Sequence, residues 1–510
     1  MKNRLILSLI FVGAILSSAA QNTLYLHTDE AETKINPEVY GHFAEHLGNC
    51  IYGGIFVGED SEIDNIRGFR TDVIDALREM GIPLLRWPGG CFADTYHWKD
   101  GIGPRENRPS IVNVHWGGVT EDNSFGTHEF LDFCELIDAE PYININVGSG
   151  TVREASEWVE YVTSANDSPM TKLRKQNGRD EPWNVRYWGI GNENWGCGGH
   201  MTPEYYADLY NNFASYCNGA KYKIAGGPNV ADYNWMRVVM QKTTRFPWLV
   251  QGVSLHNYSF TNNWENKGNA TGFREAEWFS NLKDVQRMEE LIKRHTSIMD
   301  QYDPNNRIGL IIYEWGNWFN VEEGTNPGFL YQQNTIRDAV SAAINLNLFN
   351  NNAHRVKMAN IAQMVNVLQA VILTKGNQMV LTPTYYVFKM YQVHQGATLI
   401  PSNLKTEQYE YNGMSIPALS SSASVKDGVV SITLSNANPN KAVVLDCQIT
   451  GHDYSSATGL VISSNGLNDY NNFGEPEKVS MKDFQLNKPK NGRLKIEIPA
   501  HSVVLVQYKK

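Results

Sequence analysis

The amino-acid sequence predicts an α/β fold: a (β/α)8 TIM barrel with a C-terminal all-β sandwich that also takes in the N-terminal strand. Three observations predict it. Eight short apolar, strand-like runs recur between residues 35 and 382, with helical periodicity between most of them. No Gly-rich phosphate fingerprint follows any of these runs, which argues against a doubly wound sheet. From residue 383 the pattern changes to alternating strands separated by Asn, Gly, Asp and Pro.

The chain begins with a basic pair, Lys2 and Arg4, an apolar core from Leu5 to Leu16 and the small residues Ser17-Ser18-Ala19-Ala20. This is the pattern of a secretory signal peptide over residues 1–20, cut before Gln21, and it is too short for a membrane span. A secreted or periplasmic protein with no membrane anchor is expected. Residues 21–34 hold one strand, Asn22 to His27, that has no helix of its own. It is assigned to the sandwich.

The barrel is expected over 35–382. Its strands are read at Val39–Phe43, Pro83–Trp87, Tyr142–Val147, Val185–Ile190, Lys221–Gly226, Val253–His256, Gly309–Tyr313 and Met358–Val365. Helices are read at Thr71–Met80, Thr127–Ile137, Glu154–Thr163, Thr202–Tyr216, Ala276–Tyr302 and Leu330–Asn350, several opening on a threonine N-cap. Thr71–Met80, for example, sets Val73, Ile74, Leu77 and Met80 on one face. The sandwich is expected over 383–510, with strands at Val429–Ser435, Ala442–Ile449, Gly459–Ser463, Leu494–Ile498 and Val503–Tyr508.

Composition limits the partners. A net charge of −10 makes nucleic acid and anionic polymers poor ligands, whereas 13 Trp and 25 Tyr offer flat faces for neutral sugars. The six cysteines form no disulfide framework and no zinc-ligand spacing.

In a barrel of this kind the working groups lie at the carboxyl ends of the strands. Here those ends are polar while the strands are apolar: Glu45, Arg86, Asn144 and Asn146, Asn192-Glu193, His256-Asn257-Tyr258, Glu314, Gln363 and Asn366. Burying them all without a ligand would be costly, so they are expected to line one pocket. Glu193 and Glu314 each follow an apolar run, and each precedes a Trp-Gly within three residues. Two carboxylates at the ends of two parallel strands suit glycoside hydrolysis. Bland readings stand beside these. Glu45 could pair with Arg86, His256 could be a core histidine, and Asp94, His97 and Asp100 could be solvated in a long loop.

Phe43-Ala44-Glu45-His46-Leu47-Gly48, Arg86-Trp87-Pro88-Gly89-Gly90, Gly191-Asn192-Glu193-Asn194-Trp195-Gly196, Ser254-Leu255-His256, Glu314-Trp315 and Ala362-Gln363 together resemble the α-L-arabinofuranosidases of glycoside hydrolase family 51. The resemblance runs from about residue 24 to the C-terminus. It implies a retaining, exo-acting enzyme on arabinan, arabinoxylan or their oligosaccharides, with no metal or other cofactor. Glu193 resembles the acid/base and Glu314 the nucleophile. Glu45, Asn192, His256, Tyr258 and Gln363 match positions that hold the terminal sugar. Trp318 matches a pocket-wall aromatic and Trp98 a loop aromatic near the leaving group. Cys91 stands where the family often has a sugar-binding Asn, and as a thiol it would be a weak partner. A homo-oligomer, a hexamer, is expected by resemblance. An endo-β-glucanase on the same fold, needing an open cleft, and a non-catalytic sugar-binding protein are the alternatives.

Overall fold

The structure is a computed structural model in which residues 22–450 and 454–509 are described. The expected leader lies outside the described residues. Eight parallel strands pair in chain order: Gly41–Phe43, Leu84–Trp87, Glu140–Ile145, Tyr187–Ile190, Tyr222–Ala225, Gly252–Ser259, Gly309–Asn317 and Val356–Ala362. The last pairs with the first, Asn360 opposite Gly41 and Ala362 opposite Phe43, which closes the barrel. All eight expected runs are present. The sixth and seventh strands continue past their expected ends because they stay paired as far as Ser259 opposite Asn317. Glu314 is therefore inside a strand, where backbone pairing fixes its direction.

Inside the barrel, Leu84, Tyr142, Tyr187, Ile224, Ile311, Tyr313 and Met358 form their own buried cluster. Full burial of a large apolar side chain contributes roughly 1.5–3 kcal/mol. Above this layer the strands turn inward with polar groups, and Gly189 explains how they fit. A Cβ there would lie 2.0 Å from Asn144 Oδ1 and 2.2 Å from the Tyr313 hydroxyl, so any side chain would displace the layer beneath the pocket.

Each strand is followed by a helix on the outside: Thr71–Met80, Thr127–Leu136, Val152–Thr163, Pro203–Tyr216, Tyr233–Thr243, Glu275–Tyr302, Ile336–Asn351 and Pro383–Tyr391. Thr151, Thr202 and Thr335 cap three of them through their side chains, whereas Thr71 and Thr127 are first helical residues with no such bond to their caps. The helix Pro383–Tyr391 packs against Thr71–Met80 and Ile336–Asn351 and completes the outer ring. The boundary read at 383 therefore moves: the barrel keeps this helix, and the sandwich strands begin at Thr398. A proline at its first position and a run of tyrosines hid its period from sequence reading.

The sandwich has a six-stranded and a four-stranded sheet. The N-terminal strand, Thr23–Leu26, lies in the four-stranded one, parallel to Val443–Ile449 and antiparallel to Ser402–Lys405. Sequence reading missed Ser402–Lys405, Leu419–Lys426 and Met481–Phe484, because serine and lysine mask their alternation. A buried polar seam joins the two units. Asn347 Oδ1 accepts from Ser422, Thr433 and Tyr391, and the His394 ring bridges Ser424 and Thr433.

Candidate active site

A cavity of about 350 Å³ opens at the carboxyl ends of the strands. Glu45, Cys91, Glu193, His256, Tyr258, Glu314, Trp318 and Gln363 line it, so most of the residues expected to meet there do so. Its floor is buried, with Glu45 2% and Glu314 5% exposed.

Register builds the centre. A shift between Leu255 and His256 places His256 directly opposite Glu314 on the neighbouring strand. The His256 Nδ1 then lies 3.0 Å from Glu193 Oε1 and 3.6 Å from Glu314 Oε2. One oxygen from each glutamate and one His256 ring nitrogen all fall within 4.8 Å of one another. That spacing fits a retaining pair, about 5–5.5 Å apart, and not an inverting pair, about 6.5–9.5 Å apart. Glu193 reaches its place with a positive φ of 41° after Gly191 at 89°. A non-glycine residue in that region carries backbone strain that its surroundings must hold.

Glu314 is held from three sides. Arg86 Nη1 donates to its Oε1 at 2.9 Å, the Tyr258 hydroxyl donates to its Oε2 at 2.8 Å, and His256 faces it. Burial alone would raise its carboxyl, but His256 and Arg86 outweigh burial and hold it well below the usual carboxylate range. Burial likewise opposes charge on His256, yet the Glu314 and Glu193 carboxylates push it up to about 9. Glu314 is thus an anion at neutral pH. Gly90 makes this packing possible, because a Cβ there would lie 2.8 Å from Glu314 Oε1.

Glu45 does not pair with Arg86. Its Oε1 accepts from the Gly90 and Phe92 amides and the Trp116 indole, and its Oε2 accepts from Gln363. Burial and the Glu314 charge push its carboxyl up to about 7. Arg86 instead spends its second nitrogen on Asn192, Nη2 to Oδ1 at 2.6 Å. The buried Asn192 Nδ2 and Gln363 Oε1 have no protein partner, leaving one donor and one acceptor free for hydroxyl groups. Asp94 is not solvated in its loop but buried, and it accepts from the Val147 and Gly148 amides, tying the second loop to the third.

Two expectations are corrected. Cys91 is not a free thiol but is bonded to Cys197, with a Cα separation of 5.5 Å. Their sulfurs lie 3.7 and 3.3 Å from Glu193 Oε2, and with no proton to donate they pack against it rather than hydrogen-bond to it. The partners are 106 residues apart in sequence, and only folding brings their two loops together. Trp98 does not reach the cavity. It is 1% exposed, stacks on Trp158 with ring planes 2° apart, and donates to the Glu154 carbonyl. Three other aromatics line the cavity, Trp116, Trp195 and Trp264, to which the sequence analysis gave no role at the sugar. Trp264 packs edge-on to Trp318 at 5.2 Å, and Tyr258 meets Trp318 at 5.0 Å. A loop tryptophan beside a strand-end motif was the available signal, but nothing local separates Trp98 from Trp116.

Residues 76–267 match the α-L-arabinofuranosidase 1 domain and residues 314–502 the α-L-arabinofuranosidase C-terminal domain. An intracellular exo-α-L-arabinofuranosidase of Bacteroides ovatus is 48% identical over 99% of this chain and 100% of its own length. The crystal structure of the family 51 arabinofuranosidase of Xanthomonas axonopodis pv. citri superposes with a TM-score of 0.94 at 43% identity, covering 96% of this chain and 100% of that one. The Thermotoga maritima α-L-arabinofuranosidase, in complex with arabinose, gives a TM-score of 0.84 at 28% identity over 95% of this chain and 99% of that one. Whole-length identity of this order, joined to a glutamate pair at retaining distance on the carboxyl side of the barrel, means that the chain belongs to the α-L-arabinofuranosidases of glycoside hydrolase family 51.

Proposed function

We propose that this glycoside hydrolase removes single α-L-arabinofuranosyl groups from the ends and side branches of arabinan, arabinoxylan or their oligosaccharides, with retention of configuration. The observation that carries the reading is the close pair Glu193 and Glu314 around one His256 nitrogen on a buried floor. Glu314 is held ionised by Arg86, Tyr258 and His256, and attacks the anomeric carbon. Glu193 protonates the departing oxygen, then takes a proton from the water that releases arabinose. The paired hydrogen-bonding groups Glu45, Asn192 and Gln363 suit the hydroxyl groups of one terminal sugar. A site built to bond a hydroxyl rejects analogues without it, since its own buried groups would be left unpaired.

The loops at 91–126 and 259–277 follow the second and sixth barrel strands. They contribute Trp116 and Trp264 to the cavity wall, which supports end-on rather than internal binding. The test is digestion of debranched arabinan with free arabinose and viscosity followed together. Steady arabinose release with slow viscosity loss is expected; rapid viscosity loss with little arabinose would overturn the exo reading. Aryl α-L-arabinofuranoside should be cleaved at least ~100-fold better than aryl β-D-xyloside. Near-equal rates would redirect the substrate assignment.

We also infer export. The signal-like leader supports it, and so does a disulfide, which persists in oxidising compartments. Cell fractionation with N-terminal sequencing checks this, and mature protein beginning at Met1 in the cytosol would refute it.

A further inference from the structure

The displacement chemistry makes no use of the Cys91–Cys197 bond, yet that bond lies against its acid/base. It links the loop after the second barrel strand to the loop after the fourth. Cys91, Cys197 and Glu193 are all half-buried, and Cys91 and Glu193 line the cavity, so solvent species reach them. Among the described residues, this trio is one of two groups whose His, Cys, Asp or Glu donor atoms converge closely enough for a metal ion.

We propose that, once a thiol reductant opens this disulfide, Cys91, Cys197 and Glu193 form a binding site for a soft divalent cation such as Zn²⁺, and that filling it switches the enzyme off. The geometry is nearly in place. Tetrahedral zinc has Zn–S of about 2.3 Å and Zn–O of about 2.0–2.2 Å, which sets each sulfur about 3.6 Å from the oxygen. The present separations from Glu193 Oε2 are 3.3 Å for Cys197 and 3.7 Å for Cys91. Only the sulfur–sulfur edge must open, to about 3.8 Å for two such bonds. Glycines flank both cysteines, Gly90 on one side and Gly196 and Gly198 on the other.

The chemistry balances. A dithiol gives two electrons and two protons to the S–S bond and leaves as its own disulfide. The two thiols then lose their protons to solvent as the two Zn–S bonds form, and water takes the fourth position. With the disulfide intact there is no thiolate to bind, so the oxidised protein has no such site. Loss of activity follows because an oxygen bound to zinc cannot carry the proton of an acid catalyst. That last step rests on the role proposed for Glu193, whereas metal binding does not.

The test uses the whole protein, oxidised or reduced with a phosphine that does not compete for metal, incubated with Zn²⁺ and desalted. The expected result is one zinc retained per reduced chain, none on the oxidised chain, and none on reduced Cys91→Ser/Cys197→Ser. Co²⁺ in place of Zn²⁺ should give a sulfur-to-cobalt charge-transfer band in reduced wild type alone. Mass mapping after alkylation should show Cys91 and Cys197 labelled when reduced and protected when zinc is present, which holds even if the double variant folds poorly. Equal zinc on reduced and oxidised protein, no charge-transfer band, or no protection would each overturn the site. Zinc bound at that stoichiometry with aryl arabinofuranosidase activity unchanged would overturn the switch and the role of Glu193, but leave the metal site standing.

Discussion

Replacing Arg86 tests how the nucleophile is held. Its guanidinium is fully buried, donates to Glu314 at 2.9 Å and to Asn192 at 2.6 Å, and lies 4.5 and 4.3 Å from the ring centres of Phe43 and Tyr313. Lysine keeps the charge, but one ammonium cannot span both acceptors with the planar fork of arginine. A hydrogen bond to a charged group is worth about 1.5–3 kcal/mol, so losing one should lower kcat/KM by roughly 10–100-fold. Methionine removes the charge as well. Breaking a buried ion pair by deleting one partner costs about 3–5 kcal/mol, on the order of 10²–10⁴-fold if it falls on the transition state. The pH dependence separates the two variants. Arg86 helps hold the Glu314 carboxyl below its ordinary range, and the anion is the reactive form. Without the guanidinium the carboxyl rises, so activity is lost earlier as pH falls. The acid limb of kcat/KM should therefore move to higher pH in Arg86→Met, and less in Arg86→Lys. The assay is kcat/KM on an aryl arabinofuranoside from about pH 3 to 8, with circular dichroism confirming folding. If folded Arg86→Met stays within threefold of wild type with an unmoved acid limb, Arg86 does not set the state of the nucleophile.

Three further outcomes are expected. Glu193→Ala should retain glycosylation by substrates with good leaving groups, accumulate intermediate, and regain turnover with azide, giving a glycosyl azide of retained configuration; equal losses for good and poor leaving groups without azide rescue would deny the acid/base role. Glu45 is raised to about 7, mainly by burial, so its stabilising share is full below its ordinary value and declines as pH rises through about 7; Glu45→Gln should gain stability relative to wild type by about 2–3 kcal/mol between about pH 5 and 8, and parallel melting curves across that range would refute it. Trp98→Ala should cost about 3–5 kcal/mol of stability and change kcat/KM for aryl and oligosaccharide substrates by the same factor, whereas Trp264→Ala should harm oligosaccharides selectively; the reverse pattern would return Trp98 to the leaving-group side.

Much of this protein was legible before folding. Short continuous apolar runs and apolar faces of period 3.6 are local properties, so the eight barrel strands and most helices could be read off the chain, as could the carboxylates that follow those strands. The barrel rule then places strand ends on one face, which is why Glu45, Glu193, His256, Tyr258, Glu314 and Gln363 were expected to meet, and one cavity brings these six together. Tertiary structure decided what depends on distance between remote segments. Glu45 was the partner the sequence offered for Arg86, and the fold gives Arg86 to Glu314 and Asn192 instead. Trp98 and Trp116 stand in the same loop, and only packing sends one under Trp158 and the other onto Glu45. Cys91 and Cys197 carry no mark of being partners, because a pairing across 106 residues is set by where two loops come to rest. Helix Pro383–Tyr391 was assigned to the wrong side of a boundary for a like reason, since membership of the barrel is a matter of which helices it touches and not of its own pattern. Sequence periodicity specifies each element and the kind of chemistry at its end. The partner each side chain meets there is specified only when the barrel closes.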